Sequence, residues 1–96
     1  MYARLTTIQG NPSKIDDAIR IIDNDVVPAV KMLPGFKNGY WFADRTSGRL
    51  LALTLFETEK DLLGSDEKMS KVRTTATEKL GGEVKSVERF EVLAHV

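Results

Sequence analysis

The sequence predicts a single α+β sandwich with element order βαββαβ, and three observations carry that expectation. Two long stretches repeat apolar residues at helical spacing, four shorter stretches are rich in β-formers, and glycine and proline punctuate the chain between them. Ninety-six residues hold one domain, and 42% apolar against 29% charged residues is a globular composition.

The first strand is expected over Tyr2–Gln9, with Tyr2, Thr6, Thr7 and Ile8 as its β-formers. Gly10-Asn11-Pro12-Ser13 then turns the chain. Asn11 suits an N-cap, and Pro12 suits the first helical position, where its missing N–H costs nothing. Ile15, Ala18, Ile19, Ile22, Val26, Val30 and Leu33 are spaced by threes and fours and share one face of a first helix, with Asp16, Asp17, Arg20, Asp23 and Asn24 opposite. Pro28 removes a donor and crowds the preceding turn, so the helix is expected to kink or divide near Val27. Pro34-Gly35 ends it.

Residues 36–43 and 50–57 predict two strands joined by the loop 44–49, in which Gly48 is free to take a positive φ. Thr58-x-x-Asp61 resembles a capping box and opens a second helix. Leu62, Met69, Val72, Ala76 and Leu80 form its apolar stripe, with an interruption expected at Gly64-Ser65-Asp66. Met32 and Met69 read as core fillers. Gly81-Gly82 closes the helix, and residues 83–95 are expected to supply the last strand.

This order predicts a ferredoxin-like sandwich, a four-stranded antiparallel sheet with two helices on one face. The third strand, Leu50-Leu51-Ala52-Leu53-Thr54-Leu55-Phe56, does not alternate, which is the pattern of a strand buried on both sides. On the second strand Phe36, Tyr40 and Phe42 have one parity and Trp41 the other. Two helices cover one face only. The other calls for a cover, and a second copy of the chain is the expectation: a homodimer joined through its sheets.

Composition excludes much chemistry. Fourteen basic residues balance fourteen acidic ones, which argues against a nucleic-acid partner. With no cysteine and one histidine, thiolate sites, disulfides and two-histidine metal motifs are absent. The opening residues lack the basic start and apolar stretch of a signal peptide, and the longest apolar run, 50–56, falls far short of the ~20 residues of a membrane span. The expectation is a cytoplasmic protein with no membrane partner.

Four segments in order then carry a resemblance: Gly10-Asn11-Pro12-Ser13-Lys14, Leu33-Pro34-Gly35-Phe36, Asp44-Arg45-Thr46-Ser47-Gly48 and Thr54-Leu55-Phe56-Glu57-Thr58. Together they resemble the dimeric α+β barrel superfamily, specifically its antibiotic-biosynthesis-monooxygenase-like group, with Phe56 where tryptophan is common. Residues 1–96 would form one such domain. The resemblance implies a homodimer whose sheets pack face to face, with a small apolar pocket between sheet and helices in each subunit. It implies, in the cofactor-free branch, monooxygenation of electron-rich aromatic polyketides or quinols, the substrate's own carbanion reducing dioxygen; no metal or organic cofactor is expected. A haem-degrading branch carries an asparagine on the first strand and a tryptophan and a histidine on the second helix. Tyr2–Gln9 has no asparagine and residues 65–75 have neither of the others, so no haem residue is carried over.

The aromatic-oxidising branch uses asparagine, tryptophan, tyrosine and arginine. That makes Asn38, Tyr40, Trp41, Arg4 and Arg73 the candidate substrate-binding residues, while no residue stands out as catalytic. On a regular strand Asn38 and Trp41 point to opposite faces, and only a bulge near Gly39 would unite them. Arg4 and Arg73 would anchor an enolate or phenolate, or else pair with acids, Glu88 or Glu91 in the case of Arg4. His95 sits next to the C-terminus, where chains fray. Two functions follow. One is a cofactor-independent monooxygenase for a small aromatic or quinol-type substrate. The other is a non-catalytic barrel that binds a small apolar ligand or serves an accessory or stress role. A closed cavity of about 300 Å³ or more with convergent polar groups favours the first, a side-chain-filled interior the second.

Overall fold

The computed structural model describes residues 1–96. The chain runs as β1 (Tyr2–Gln9), a 3₁₀ turn (Pro12–Lys14), α1 (Ile15–Ile21), a π-helical segment (Ile22–Val26), α2 (Val27–Lys31), β2 (Phe36–Ala43), β3 (Arg49–Phe56), α3 (Glu59–Gly64), α4 (Asp66–Leu80) and β4 (Glu83–Glu91). The strands form one antiparallel sheet in the order β2-β3-β1-β4, and the helices lie on one of its faces, which is the ferredoxin-like sandwich.

Local chemistry starts the helices where expected. The Asn11 side chain accepts from the Ser13 N–H at 2.9 Å, and Pro12 follows at the first position. Thr58 Oγ1 accepts from the Asp61 N–H at 3.1 Å, and its own hydroxyl donates to the Asp61 carboxylate at 2.9 Å. Pro28 does not break the helix. The turn before it widens to the π-helical segment, and Pro28 then falls in the first turn of α2, where no donor is required of it. Gly81 ends α4 in the left-handed conformation, at φ 67°.

The core is built where these layers meet. Val26, Val30 and Leu33 pack with Phe56, Leu62 and Met69, and a second cluster joins Ile15 and Ala18 to Leu50 and Leu80. Met32, by contrast, is exposed: it lies just past the end of α2, off the apolar stripe. Strand β3 is two-sided as its sequence predicts. Leu50, Thr54 and Phe56 are buried beneath the helices, while Leu51, Leu53 and Leu55 point the other way and stay half-buried.

Two strand details differ from expectation. The β2–β3 register shifts between Phe36 and Asn38, so Phe36 pairs with buried Phe56 and joins the core on the same side as Trp41. Strand β4 ends at Glu91 instead of His95. Glu91 pairs with Tyr2, the first residue of β1, so beyond it no neighbouring strand remains to accept a ladder. One more bond, from the Val92 N–H to the Met1 carbonyl at 2.8 Å, closes the pairing.

Candidate functional site

A cavity of about 70 Å³ lies between the sheet and the helices. Ile22 and Val26 of the π-helical segment form one wall, Met69 and Arg73 of α4 another, and Thr6 of β1 and Trp41 of β2 the floor. The widened turn brings both Ile22 and Val26 to this wall. The lining is almost wholly apolar, and Arg73 is its one ionisable side chain.

Trp41 owes its place to Gly39. A Cβ at Gly39 would lie 2.7 Å from the Trp41 ring and 3.3 Å from Phe36, so the indole lies across bare backbone at that position. On the far side of Trp41 and Ile22 runs an open apolar groove of about 330 Å³, bounded by Ile15, Ala18 and Val27 and rimmed by Arg45. Trp41 and Ile22 therefore form a partition between the inner cavity and the outer groove.

Arginines gather at one end of the cavity. Arg4, 1% exposed, donates through Nη2 to the Leu62 carbonyl and to Ser65 Oγ, each at 2.9 Å, and pairs with Asp66. Its guanidinium lies 5.6 Å from the centre of the Phe56 ring. Its Nε and Nη1 are buried without a partner, and so is Oγ1 of Thr54, the residue directly opposite on β3. Arg89 is opposite Arg4 on β4 and reaches the same carboxylate from Nη2 at 2.9 Å. Burial pushes the Asp66 carboxyl up, but the hydrogen bonds from Arg4 and Arg89 outweigh it and hold the group below the usual carboxylate range. Burial lowers the pKa of Arg73, and the neighbouring charges of Arg4 and Arg89 lower it further. Arg73 itself makes no ion pair or side-chain hydrogen bond.

Of the five sequence candidates, Trp41 and Arg73 meet in the cavity, and Arg4 stands behind it in the arginine cluster. Asn38 and Tyr40 do not join them. The bulge precedes Asn38 and leaves the alternation from Asn38 to Trp41 intact, so Asn38 and Tyr40 pair with Leu55 and Leu53 on the face away from the helices. Tyr40 there stacks on Phe42, ring centres 6.3 Å apart. Neither Glu88 nor Glu91 partners Arg4: Glu91 accepts from Tyr2 at 3.1 Å, and Glu88 pairs with Leu5 on the opposite face. Sequence reasoning missed Asp66 and Arg89. The signal for them was indirect: two arginines facing each other on adjacent strands require an acid between them, and Asp66 follows the helix break that points at them.

No family model matches the sequence. The chain is 34% identical over 94 residues to the uncharacterised protein Rv2557 of Mycobacterium tuberculosis, covering 98% of this chain and 42% of that protein. It is 30% identical over 92 residues to Rv2558 of the same organism, covering 96% of this chain and 39% of that protein. The chain thus spans about two fifths of the length of these relatives. Among solved structures it resembles the monooxygenase from ActVA-Orf6 of Streptomyces coelicolor, in complex with nanaomycin D, with TM-score 0.75 and 14% identity over 99% of this chain and 89% of that one. It resembles the haem degrader MhuD of M. tuberculosis, with two haems in its active site, with TM-score 0.74 and 15% identity over 100% and 99% of the two chains. Rv0793 of M. tuberculosis gives TM-score 0.67 and 16% identity over 98% and 96%. Element order, strand order and these superpositions agree: the chain has the fold of the antibiotic-biosynthesis-monooxygenase-like group of the dimeric α+β barrel superfamily.

Proposed function

We propose that the protein is a cofactor-independent monooxygenase for a small electron-rich aromatic compound of phenol or quinol type, working as a homodimer packed through its sheets. The observation that carries this reading is the apolar cavity with a single unpaired guanidinium, Arg73, in its wall. A phenol gives up its O–H proton more readily when a fixed cation faces the oxygen in a dry site. The phenolate's ring carbon then bonds to dioxygen, and protonation gives a hydroperoxide. The O–O bond breaks as the C–H proton leaves. That carbon becomes a carbonyl, and the departing hydroxide and a proton form water. The sum is phenol plus dioxygen to quinone plus water, with one oxygen atom in each product. Arg73 holds the oxyanion, and Trp41, Ile22 and Met69 exclude water.

The cavity is smaller than the engineered apolar cavity of about 150 Å³ that admits benzene. Entry of a ring therefore requires a wall to move, and Trp41 has the open groove beside it to move into. At about 70 Å³, with no convergent set of polar groups, the cavity also falls short of the roughly 300 Å³ that would favour the oxygenase. That shortfall, and a lining without carboxylate, histidine or tyrosine, favour a second reading: a non-catalytic carrier of a small apolar ligand.

Oxygen uptake on a panel of anthrones and quinols, in chelator-treated buffer, tests the first reading. The expected result is uptake with one atom of labelled dioxygen retained in product, reduced on the order of 10²–10³-fold in Arg73→Gln. Saturable ligand binding with no uptake on the whole panel would leave the carrier in its place. Uptake abolished by the chelator would overturn the cofactor-free chemistry.

A further inference from the structure

We infer that the Thr6 hydroxyl is a second ligand contact of this cavity, and that it selects aromatics with hydroxyls on opposite edges of the ring, quinols over simple phenols. The inference rests on the cavity being the ligand site and narrows the class of molecule it takes.

The sheet register places the contact. Trp41 of β2, Ala52 of β3 and Thr6 of β1 are direct partners across the ladders, so they stand in one row beneath the helices. Ala52 is the smallest side chain on that side of β3, between Leu50 and Thr54, and it leaves the cavity floor low at the middle of the row. A ring that displaces Trp41 comes to lie over Ala52, with Thr6 at its far edge. The polar groups do not converge on one point. Thr6 belongs to the sheet and Arg73 to α4, so they face the space from opposite layers.

The hydroxyl of Thr6 is unspent. The residue is 4% exposed. Its partners across the two ladders, Ala52 and Val87, offer apolar side chains only, and its side chain makes no hydrogen bond within the chain. Thr77, the other hydroxyl of the cavity, donates to the Arg73 and Thr74 carbonyls at 2.9 and 3.1 Å and is satisfied by its own helix. Valine matches threonine in shape and suits a strand as well, without burying a polar group. A hydroxyl at this position is therefore a cost to the empty protein that a bound molecule relieves.

Together the two groups define the class. A guanidinium only donates, so Arg73 suits the oxygen that ionises. A hydroxyl donates and accepts, so Thr6 suits a neutral O–H. A molecule that satisfies both carries two oxygens on separate edges of its ring. A simple phenol leaves one of the two protein groups unpaired in a dry site, and a site with an unpaired polar group discriminates against the ligand that fails to reach it.

Hydroquinone and 4-methylphenol differ by a hydroxyl and a methyl at one ring edge, and Thr6→Val makes the same exchange in the protein. Trp41 is the only tryptophan of the chain and lines the cavity, so its indole N–H resonance reports occupancy in anaerobic titrations. Hydroquinone should bind the wild type about fivefold more tightly than 4-methylphenol, the size of one net hydrogen bond. Thr6→Val should reverse the order, because the second ligand hydroxyl is then stripped of water without a partner, and Thr6→Ser should keep it. Far-UV circular dichroism confirms that each variant is folded, and the wild-type comparison stands by itself if one is not. A wild type that binds 4-methylphenol as tightly as hydroquinone, a quinol preference that survives in Thr6→Val, or no binding of either probe would overturn the inference. A Thr6-dependent quinol preference without oxygen uptake would uphold it and remove the oxygenase. Uptake with simple phenols and no quinol preference would do the reverse.

Discussion

Asp66 keeps two arginines from standing as bare like charges on neighbouring strands. Arg4 is buried, so removing its partner leaves an unpaired charge in the core, a loss of about 3–5 kcal/mol for a fully buried pair. Asp66 retains 33% exposure, and water compensates in part. Asp66→Ala should therefore destabilise the fold by about 2–4 kcal/mol in chemical denaturation, whereas a surface pair such as Lys71–Glu67 should cost under about 1 kcal/mol. A change for Asp66→Ala no larger than that of the surface pair would refute its bracing role. The pH dependence has a definite sign. The folded carboxyl titrates below its unfolded value, so its contribution is fully present above the unfolded carboxylate range of about 4 and is lost as pH falls through the folded value. Asp66→Asn should flatten stability against pH in that acid window. The sequence marked Arg4 as an anchor for an enolate or phenolate, or else as a partner of Glu88 or Glu91. It did not reveal the partner, because the pair spans 62 positions and depends on where the α3–α4 joint lands.

At the level of elements, Gly39, Trp41 and the π-helical segment act as one device. The glycine gives the indole a flat seat, and the widened turn brings Ile22 against it. Gly39→Ala places a methyl where the ring lies, 2.7 Å from it, so the indole has to leave its seat. The expected cost is about 1–3 kcal/mol, with a shift in Trp41 emission and weaker binding of any cavity ligand. Unchanged emission and unchanged affinity would mean that Gly39 does not hold the ring. Helix starts, the hairpin and the two-sided β3 were legible because caps, turns and periodicity are local. The β2 bulge and the end of β4 were not. A bulge reflects what the facing strand offers, here Phe56 drawing Phe36 into the core, and β4 stops where its neighbour β1 runs out. The prolyl interruption was visible in the sequence, but a wide turn and a break leave the same trace there.

Viewed as a whole molecule, the sandwich is one-sided. Tyr40, Phe42 and Phe90 stand about half-exposed on the face away from the helices, with Leu51, Leu53 and Leu55 between them. A standard interface takes about 800 Å² from each partner, a modest part of the 6006 Å² that this chain exposes. The sheet face offers apolar area in one contiguous patch, which suits a self-complementary two-fold contact. Leu53 tests this most sharply, because it pairs with Leu5 on one side and Tyr40 on the other, near the middle of the patch. The wild type should sediment at micromolar concentration with twice the 10.7 kDa chain mass. Leu53→Asp would bury two unpaired carboxylates at a two-fold seam, so it should sediment as a monomer. In that monomer the new carboxylate faces water, so helical circular dichroism should persist even where the melting temperature falls. Val30, fully buried in the apolar core on the helix side, gives the contrast: an aspartate there should unfold the chain outright. A wild type that sediments as a clean monomer, or a Leu53→Asp variant that stays dimeric with unaltered stability, would show that something other than a second copy covers this face.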